Sequence, residues 1–148
     1  MPVALHNRVR SRGFSAPALR RTAQALLDEL RCGDAELSIL LVGDAAIRKL
    51  NRSYRGFDRA TDVLSFPLEG ERRGRSVPRF LGDVVISVPT ARRQAKVYDA
   101  APQRELERLL IHGILHLLGH DHHRRDERAR MQREERRLAA AIGLPWPY

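Results

Sequence analysis

The sequence is poor in two features that would otherwise define its class, cysteine and long apolar runs. Cys32 is the only cysteine among the 148 residues, which excludes an internal disulfide and fits a reducing cytoplasm. No apolar run reaches the ~18 residues of a membrane-spanning helix. Residues 1–14 contain arginines but lack the apolar segment of a secretory signal. These absences predict a cytoplasmic protein with no membrane span.

Lysine is also scarce, although the chain is strongly basic. Lys49 and Lys96 are the only lysines, and every other basic residue that contributes to the net charge of +9 is an arginine. A charge of this sign favours a polyanionic partner, with nucleic acid first and an anionic membrane surface second. The arginine skew has a second explanation in genome composition, so the charge supports RNA binding without establishing it.

The histidines are concentrated in one short stretch. Five of the six fall within residues 111–123. His112 and His116 are four residues apart, a spacing that stacks them on one face of a helix. Leucines and isoleucines surround them, so the helix should be buried, and Gly119 is suited to end it. After that turn, His122 could swing back as a third nitrogen ligand.

Three neutral imidazoles with one open position describe a catalytic zinc site, because a closed structural site usually contains cysteines. The alternative is that these histidines are core residues with satisfied hydrogen bonds. Burying several polar rings side by side costs free energy unless they have partners, which favours a metal. Zinc peptidases carry H-E-x-x-H, whose glutamate is the general base. Here that position is Gly113, so a peptidase would lack its usual base.

The remaining pattern predicts one α+β domain over residues 1–148, with a small mixed β-sheet and packed helices. The histidine helix should be the most buried, in a zincin-like arrangement near the sheet edge. Alternating and apolar stretches predict an edge strand within residues 1–14 and core strands at 36–42, 63–66 and 82–88. Helical spacing, capping residues and glycine stops predict helices at about 15–31, 44–54, 89–97, 102–118 and 124–142. Ser15 and Asp44 are the expected N-caps of the first two helices. The last helix is dense in charge of both signs, which predicts a solvated helix with internal ion pairs. Residues 68–79 are predicted to form an arginine-rich surface loop.

A second polar stretch leads into the 63–66 strand. Arg55 adjoins a glycine turn, and its guanidinium has the two-pronged geometry that matches phosphate oxygens. Thr61, Asp62 and Ser65 place hydroxyls and a carboxylate at the start of the strand, where they are candidates for substrate binding. The alternative is that Thr61 and Asp62 only form the turn and that Arg55 is a surface charge.

Three blocks of the sequence together resemble the YbeY family of single-strand-specific, metal-dependent endoribonucleases, which act in ribosomal RNA maturation and ribosome quality control. The blocks lie in family order within residues 50–122 and read L-N-x-x-Y-R-x-x-D-x-x-T-D-V-L-S-F-P, L-G-D-V and H-G-x-L-H-L-x-G-H-D-H. One departure is His120, where the family often has tyrosine, which leaves open whether this histidine competes as a ligand.

The resemblance implies a set of roles for these residues. It makes His112, His116 and His122 the ligands of one Zn²⁺ per chain, and makes Arg55 the residue that engages the scissile phosphate. It also implies a single-stranded RNA substrate, cleavage in 16S rRNA 3′-end maturation and the ribosomal small subunit as partner.

Other functions remain open at this point. A zinc-dependent peptidase or amidase would use the same metal, and a non-catalytic ribosome-assembly factor would use it structurally. Imidazole ligands suit zinc, nickel and copper alike. No general base adjoins the histidines in sequence, and Asp62 and His120 are the candidates. The oligomeric state is not predicted.

Overall fold

The computed structural model of the chain describes residues 3–68 and 80–146. Four strands and five helices follow one another in these ranges, and each predicted element is present with bounds shifted by a few residues at most. Their bounds in chain order are β1 Val3–Asn7, α1 Ala16–Glu29, β2 Glu36–Val42, α2 Asp44–Arg55, β3 Val63–Pro67, β4 Phe80–Ser87, α3 Val88–Val97, α4 Pro102–Leu117 and α5 Arg125–Ala141.

The strands form one mixed sheet in the order β1-β2-β4-β3. β1, β2 and β4 run parallel, whereas β3 is antiparallel to β4. The mixed sheet confirms the α+β prediction. The placement of β3 as a core strand is wrong, because β3 lies at the edge and only Leu64 on it is buried. Its short apolar run resembles a core strand, but the neighbouring side chains face an open cleft.

Side-chain alternation along β2 divides the interior between the two faces of the sheet. Leu37, Ile39 and Leu41 point into the larger core, which also receives the apolar sides of α1, α4 and α5. Leu40 and Val42 point into a smaller core on the other face, beneath α2. The sheet is therefore covered on both faces, and α4 lies on the face with the larger core.

α4 is the most buried helix described. Ten of its sixteen residues are buried, among them Leu106, Leu109 and Leu110. Burying a side chain of this size stabilises a fold by roughly 1.5–3 kcal/mol relative to exposure. The helix therefore holds whatever functional groups it carries on a rigid support.

Two capping predictions have different outcomes. The Ser15 hydroxyl accepts a hydrogen bond from the backbone N–H of Ala18 and caps α1, as predicted. Asp44 was expected to cap α2, but Gly43 occupies the cap position and Asp44 is the first helical residue. Its carboxylate instead accepts hydrogen bonds from the hydroxyl groups of Ser87 and Thr90 at 2.6 and 2.7 Å. It therefore ties α2 to the start of α3.

The arginine-rich loop predicted at residues 68–79 lies, apart from Leu68, outside the described residues. Within the two described ranges, no helix combines the length and the apolar character that crossing a bilayer requires.

Candidate metal centre and its cleft

Two of the three predicted ligands lie on successive turns of α4. The Nε2 atoms of His112 and His116 are 3.0 Å apart, and their ring centroids are separated by 4.6 Å. Two ring nitrogens at this distance point towards one position. The four-residue spacing therefore places the rings as the sequence predicts.

The chain reverses after α4 and brings in the third histidine. Gly119 has a φ of 97°, and its N–H donates to the carbonyl of His116 while the N–H of His120 donates to that of Leu115. This pair of bonds is a Schellman motif, which ends a helix and turns the chain sharply. The carboxylate of Asp121 then accepts a hydrogen bond from the backbone N–H of His122 at 2.6 Å. The ring centroid of His122 comes to lie 5.1 Å from that of His116.

The three rings meet the geometric requirement for a common ligand. His112, His116 and His122 each offer one nitrogen, and these nitrogens lie within 4.8 Å of one another. A set of three imidazoles without a thiolate suits zinc, nickel or copper and leaves a coordination position open. These residues could therefore hold one metal ion.

A carboxylate from α5 fixes the orientation of the first histidine. Glu135, only 8% exposed, places Oε2 3.1 Å from Nδ1 of His112. When Nδ1 carries the proton, its N–H donates a hydrogen bond to this carboxylate, and Nε2 keeps its lone pair directed at the other histidines. Metal-binding histidines commonly have such a partner.

Glu135 was missed by the sequence reasoning, which placed it on a solvated helix with internal ion pairs. That interpretation holds for Glu134, whose carboxylate accepts hydrogen bonds from Arg137 at 2.9 Å, but is wrong for Glu135. One signal was available. Glu135 lies four residues after Met131 and three before Leu138, so it shares their buried helical face.

Burial favours the neutral form of two of the three histidines. Burial is the main cause that lowers the pKa of His116 to about 4, and the nearby His112 and His122 rings lower it further. Burial, together with His112 and His123, also lowers the pKa of His122. Both rings are therefore neutral at pH 7, which is the form that binds a metal.

The histidines line an open cleft with a volume of about 750 Å³. The predicted residues of the second polar stretch line the same cleft, although they are far from the histidines in sequence. They are Arg55, Thr61, Asp62 and Ser65, and His120 from the histidine segment lines the cleft too. Tyr54 and Phe66, which the sequence reasoning did not single out as site residues, line it as well.

Arg55 is the last residue of α2 and is exposed beside the cleft. Gly56, with a φ of 77°, ends the helix in the left-handed conformation and turns the chain away. The guanidinium lies 5.4 Å from the ring centroid of Phe57, a cation–π contact that leaves the positive charge in place. Among the described residues, no carboxylate forms an ion pair with Arg55.

The other cleft residues differ in how many hydrogen bonds their polar groups already form within the protein. The carboxylate of Asp62 accepts a hydrogen bond from the backbone N–H of Val63 on one oxygen and from the amide of Gln94 on the other. Thr61 also lies within hydrogen-bond distance of Asp62, at 3.4 Å. The His120 ring contributes no side-chain hydrogen bond among the described contacts. Substrate roles for these residues stay predictions.

Gly113 is required by the packing of α4 against the sheet. A Cβ atom at this position would lie 2.7 Å from Cγ1 of Val84, and the Ser65 hydroxyl donates to the Gly113 carbonyl at 3.0 Å. A glutamate here would collide with the sheet before it reached the cleft. The H-E-x-x-H motif of zinc peptidases is therefore incompatible with this packing, because its glutamate would clash with Val84.

Comparison with known sequences gives a consistent result. The family model described as Endoribonuclease YbeY matches residues 5–143. The protein named Endoribonuclease YbeY from Anaeromyxobacter sp. (strain Fw109-5) is 55% identical over 139 residues, which cover 94% of this chain and 69% of that protein. The protein of the same name from Syntrophotalea carbinolica is 42% identical over 143 residues, or 95% of each chain.

Other relatives are longer, and one solved structure is similar. The Endoribonuclease YbeY of Myxococcus xanthus is 50% identical over 129 residues, which make up 87% of this chain but only 44% of that protein. The solution structure of TM1509 from Thermotoga maritima aligns with a TM-score of 0.60 at 24% identity. The alignment covers 95% of this chain and 91% of that one. At this identity the likeness supports the fold alone.

Proposed function

The chain belongs to the YbeY family of endoribonucleases, and we propose that it cleaves single-stranded RNA with one zinc ion held by His112, His116 and His122. The observation that carries the proposal is the shared cleft. It brings three metal-competent nitrogens together with Arg55, a guanidinium that no described carboxylate neutralises. A phosphodiester between the metal and the guanidinium would meet positive charge on both sides.

The chain's own residues supply most of this arrangement. Arg55 binds a non-bridging phosphate oxygen and stabilises the extra negative charge of the transition state, a contribution worth about 3–4 kcal/mol in comparable sites. A bound zinc ion supplies Lewis acidity, which polarises a phosphoryl oxygen or activates water at neutral pH. His120 is favoured over Asp62 as the proton acceptor, because both carboxylate oxygens of Asp62 already accept hydrogen bonds. Thr61 and Ser65 contact the substrate from the sheet side.

The finer parts of the proposal concern the biological substrate. We infer that the RNA is ribosomal, that cleavage contributes to maturation of the 16S 3′ end, and that the small subunit is the partner in the cytoplasm. The whole chain, residues 1–148, would act as one catalytic domain. The net charge of +9 supports this inference, because a basic surface attracts a polyanion.

Removing the metal tests the proposal. We expect purified protein to contain close to one zinc per chain and to cut a single-stranded RNA. A chelator should abolish cleavage, and added zinc should restore it. The folded state should survive metal removal, because the large core, and not the metal, holds α4 in place. Elemental analysis, an RNA cleavage assay and circular dichroism measure these three quantities.

The two rival functions give different results in the same experiment. Digestion of a peptide library without RNA cleavage would identify a peptidase or amidase. Unfolding on metal removal, with no RNA cleavage under any condition, would identify an assembly factor with a structural metal. Either result contradicts the nuclease proposal.

The contact between Glu135 and His112 predicts a positioning role for the carboxylate. Replacing Glu135 with alanine should weaken zinc affinity about 10- to 100-fold, because nothing then fixes the His112 tautomer and ring orientation. Competition with a chromogenic chelator measures this affinity independently of activity. Glu135→Gln, which keeps an acceptor oxygen, should lose less.

Glu134 offers a matched control on the adjacent position of α5. Its carboxylate pairs with Arg137 at the surface, so Glu134→Ala should bind zinc as the parent does. Equal zinc affinity of Glu135→Ala and the parent would exclude the positioning role.

A further inference from the structure

Aromatic side chains are scarce in this protein, yet three of them fall in the short segment that contains Arg55. The chain has four phenylalanines, three tyrosines and one tryptophan. Of these, Tyr54, Phe57 and Phe66 fall within thirteen residues. Tyr54 and Phe66 line the same cleft as the three histidines. Aromatic rings in this cleft require an explanation beyond packing, because the most exposed of them contributes little to the core.

Tyr54 is 70% exposed, the highest fraction among the described tyrosines and phenylalanines. Its ring contacts that of Phe66 with centroids 5.2 Å apart and an interplanar angle of 64°, an edge-to-face arrangement. Phe66 itself packs against the smaller core formed by residues such as Val85 and Ile47. The Tyr54 ring is therefore supported from one side while most of its surface stays open.

Phe57 differs in that its ring is already covered. The guanidinium groups of Arg55 and Arg59 lie 5.4 and 5.2 Å from its ring centroid. Phe57 does not line the cleft, so it acts as a support for the two arginines. No such cation contact involves Tyr54 among the described residues. Tyr54 is therefore the ring beside Arg55 whose surface is available to a ligand in the cleft.

We propose that Tyr54, supported by Phe66, forms a stacking subsite for an unpaired nucleobase next to the scissile phosphate. Arg55 and Tyr54 line the same cleft at the end of α2, so a phosphate bound by Arg55 places a neighbouring base within reach of the Tyr54 ring. Every base has a π-face, so stacking tolerates any sequence. In a duplex that face is covered by neighbouring base pairs, and the subsite therefore selects single strands. This inference rests on the proposed nuclease function and assigns its strand specificity to one side chain.

Steady-state cleavage of a single-stranded RNA tests the subsite. Tyr54→Ala should raise KM on the order of tenfold, because base–aromatic stacking is lost. The same variant should leave kcat within about twofold, because the metal ligands and Arg55 are intact. Tyr54→Phe, which keeps the ring and loses the hydroxyl, should behave as the parent. Cleavage of duplex RNA should not change, so the preference for single strands should shrink by the same factor.

An abasic scan separates stacking from a structural effect. RNAs with a single abasic residue at successive positions around the cut should include one whose KM with the parent is already raised. With that RNA, Tyr54→Ala should not raise KM any further, because the stacking contact is already absent. Tyr98→Ala removes another exposed tyrosine, 42% exposed and outside the residues that line the cleft, and should cut all substrates as the parent does.

Three results would overturn the stacking subsite. They are an unchanged KM in Tyr54→Ala, an equal loss in Tyr54→Phe, and additive losses at every abasic position. None of them would contradict the proposed function, which is tested separately by whether the parent protein cleaves single-stranded RNA and loses that activity when the metal is removed.

Discussion

Replacing His116 with alanine is expected to reduce RNA cleavage by about a thousandfold or more. The loss should be this large because His116 is the central ring of the cluster, and without it two imidazoles cannot hold the ion that contributes several kcal/mol to the reaction. The zinc content should fall with the activity. The fold should survive, because the substitution removes a half-buried ring crowded against His112 and leaves the apolar side of α4 intact.

The control for this variant is a histidine outside the site. His6 is exposed on the edge strand β1, so His6→Ala should retain full zinc content and activity. Cleavage rates, bound zinc and thermal unfolding are measured on the parent and both variants. If His116→Ala cuts single-stranded RNA as fast as the parent, His116 is not a ligand of the catalytic metal.

The second large effect is expected at Arg55. Arg55→Ala should lower kcat about 10²- to 10³-fold, the usual consequence of removing one preorganised charge-stabilising donor. The zinc content should not change, because Arg55 lies on α2 and contacts none of the histidines in the described structure. This combination of normal metal content and low kcat distinguishes it from the His116 variant.

Two further variants sharpen the assignment. Arg55→Lys should recover part of the rate, because lysine keeps the charge but not the two-pronged donor geometry. Arg52→Ala removes an exposed arginine from the preceding turn of α2, outside the residues that line the cleft, and should leave kcat unchanged. A loss in Arg52→Ala as large as that in Arg55→Ala would mean that only general positive charge matters here.

Much of the geometry of the candidate centre could be predicted from local sequence spacing. The spacing of His112 and His116 fixes their common face, and Gly119 marks the reversal that lets His122 return. These predictions succeed because helical periodicity and left-handed glycine turns act over a few residues and depend little on the rest of the chain.

Residues far apart in sequence account for what was missed. Glu135 contacts His112 across 23 positions, and it lies in a run of charged residues of both signs that resembles a fully exposed helix. β3 has the apolar run of a core strand but lies at the edge of the sheet, which is why Ser65 and Phe66 reach the cleft. Neither the partner of a buried carboxylate nor the order of strands is encoded in local spacing.

The sequence alone thus determined the helices and strands, the trio of histidines and the membership of an RNA-cleaving family. Tertiary structure decided which groups surround the histidines: Glu135 in contact with His112, Arg55 and Tyr54 in the same cleft, and Val84 against Gly113. The physical reason is that backbone preferences are set by near neighbours. The contents of a cleft are set instead by how separate elements pack over a shared core.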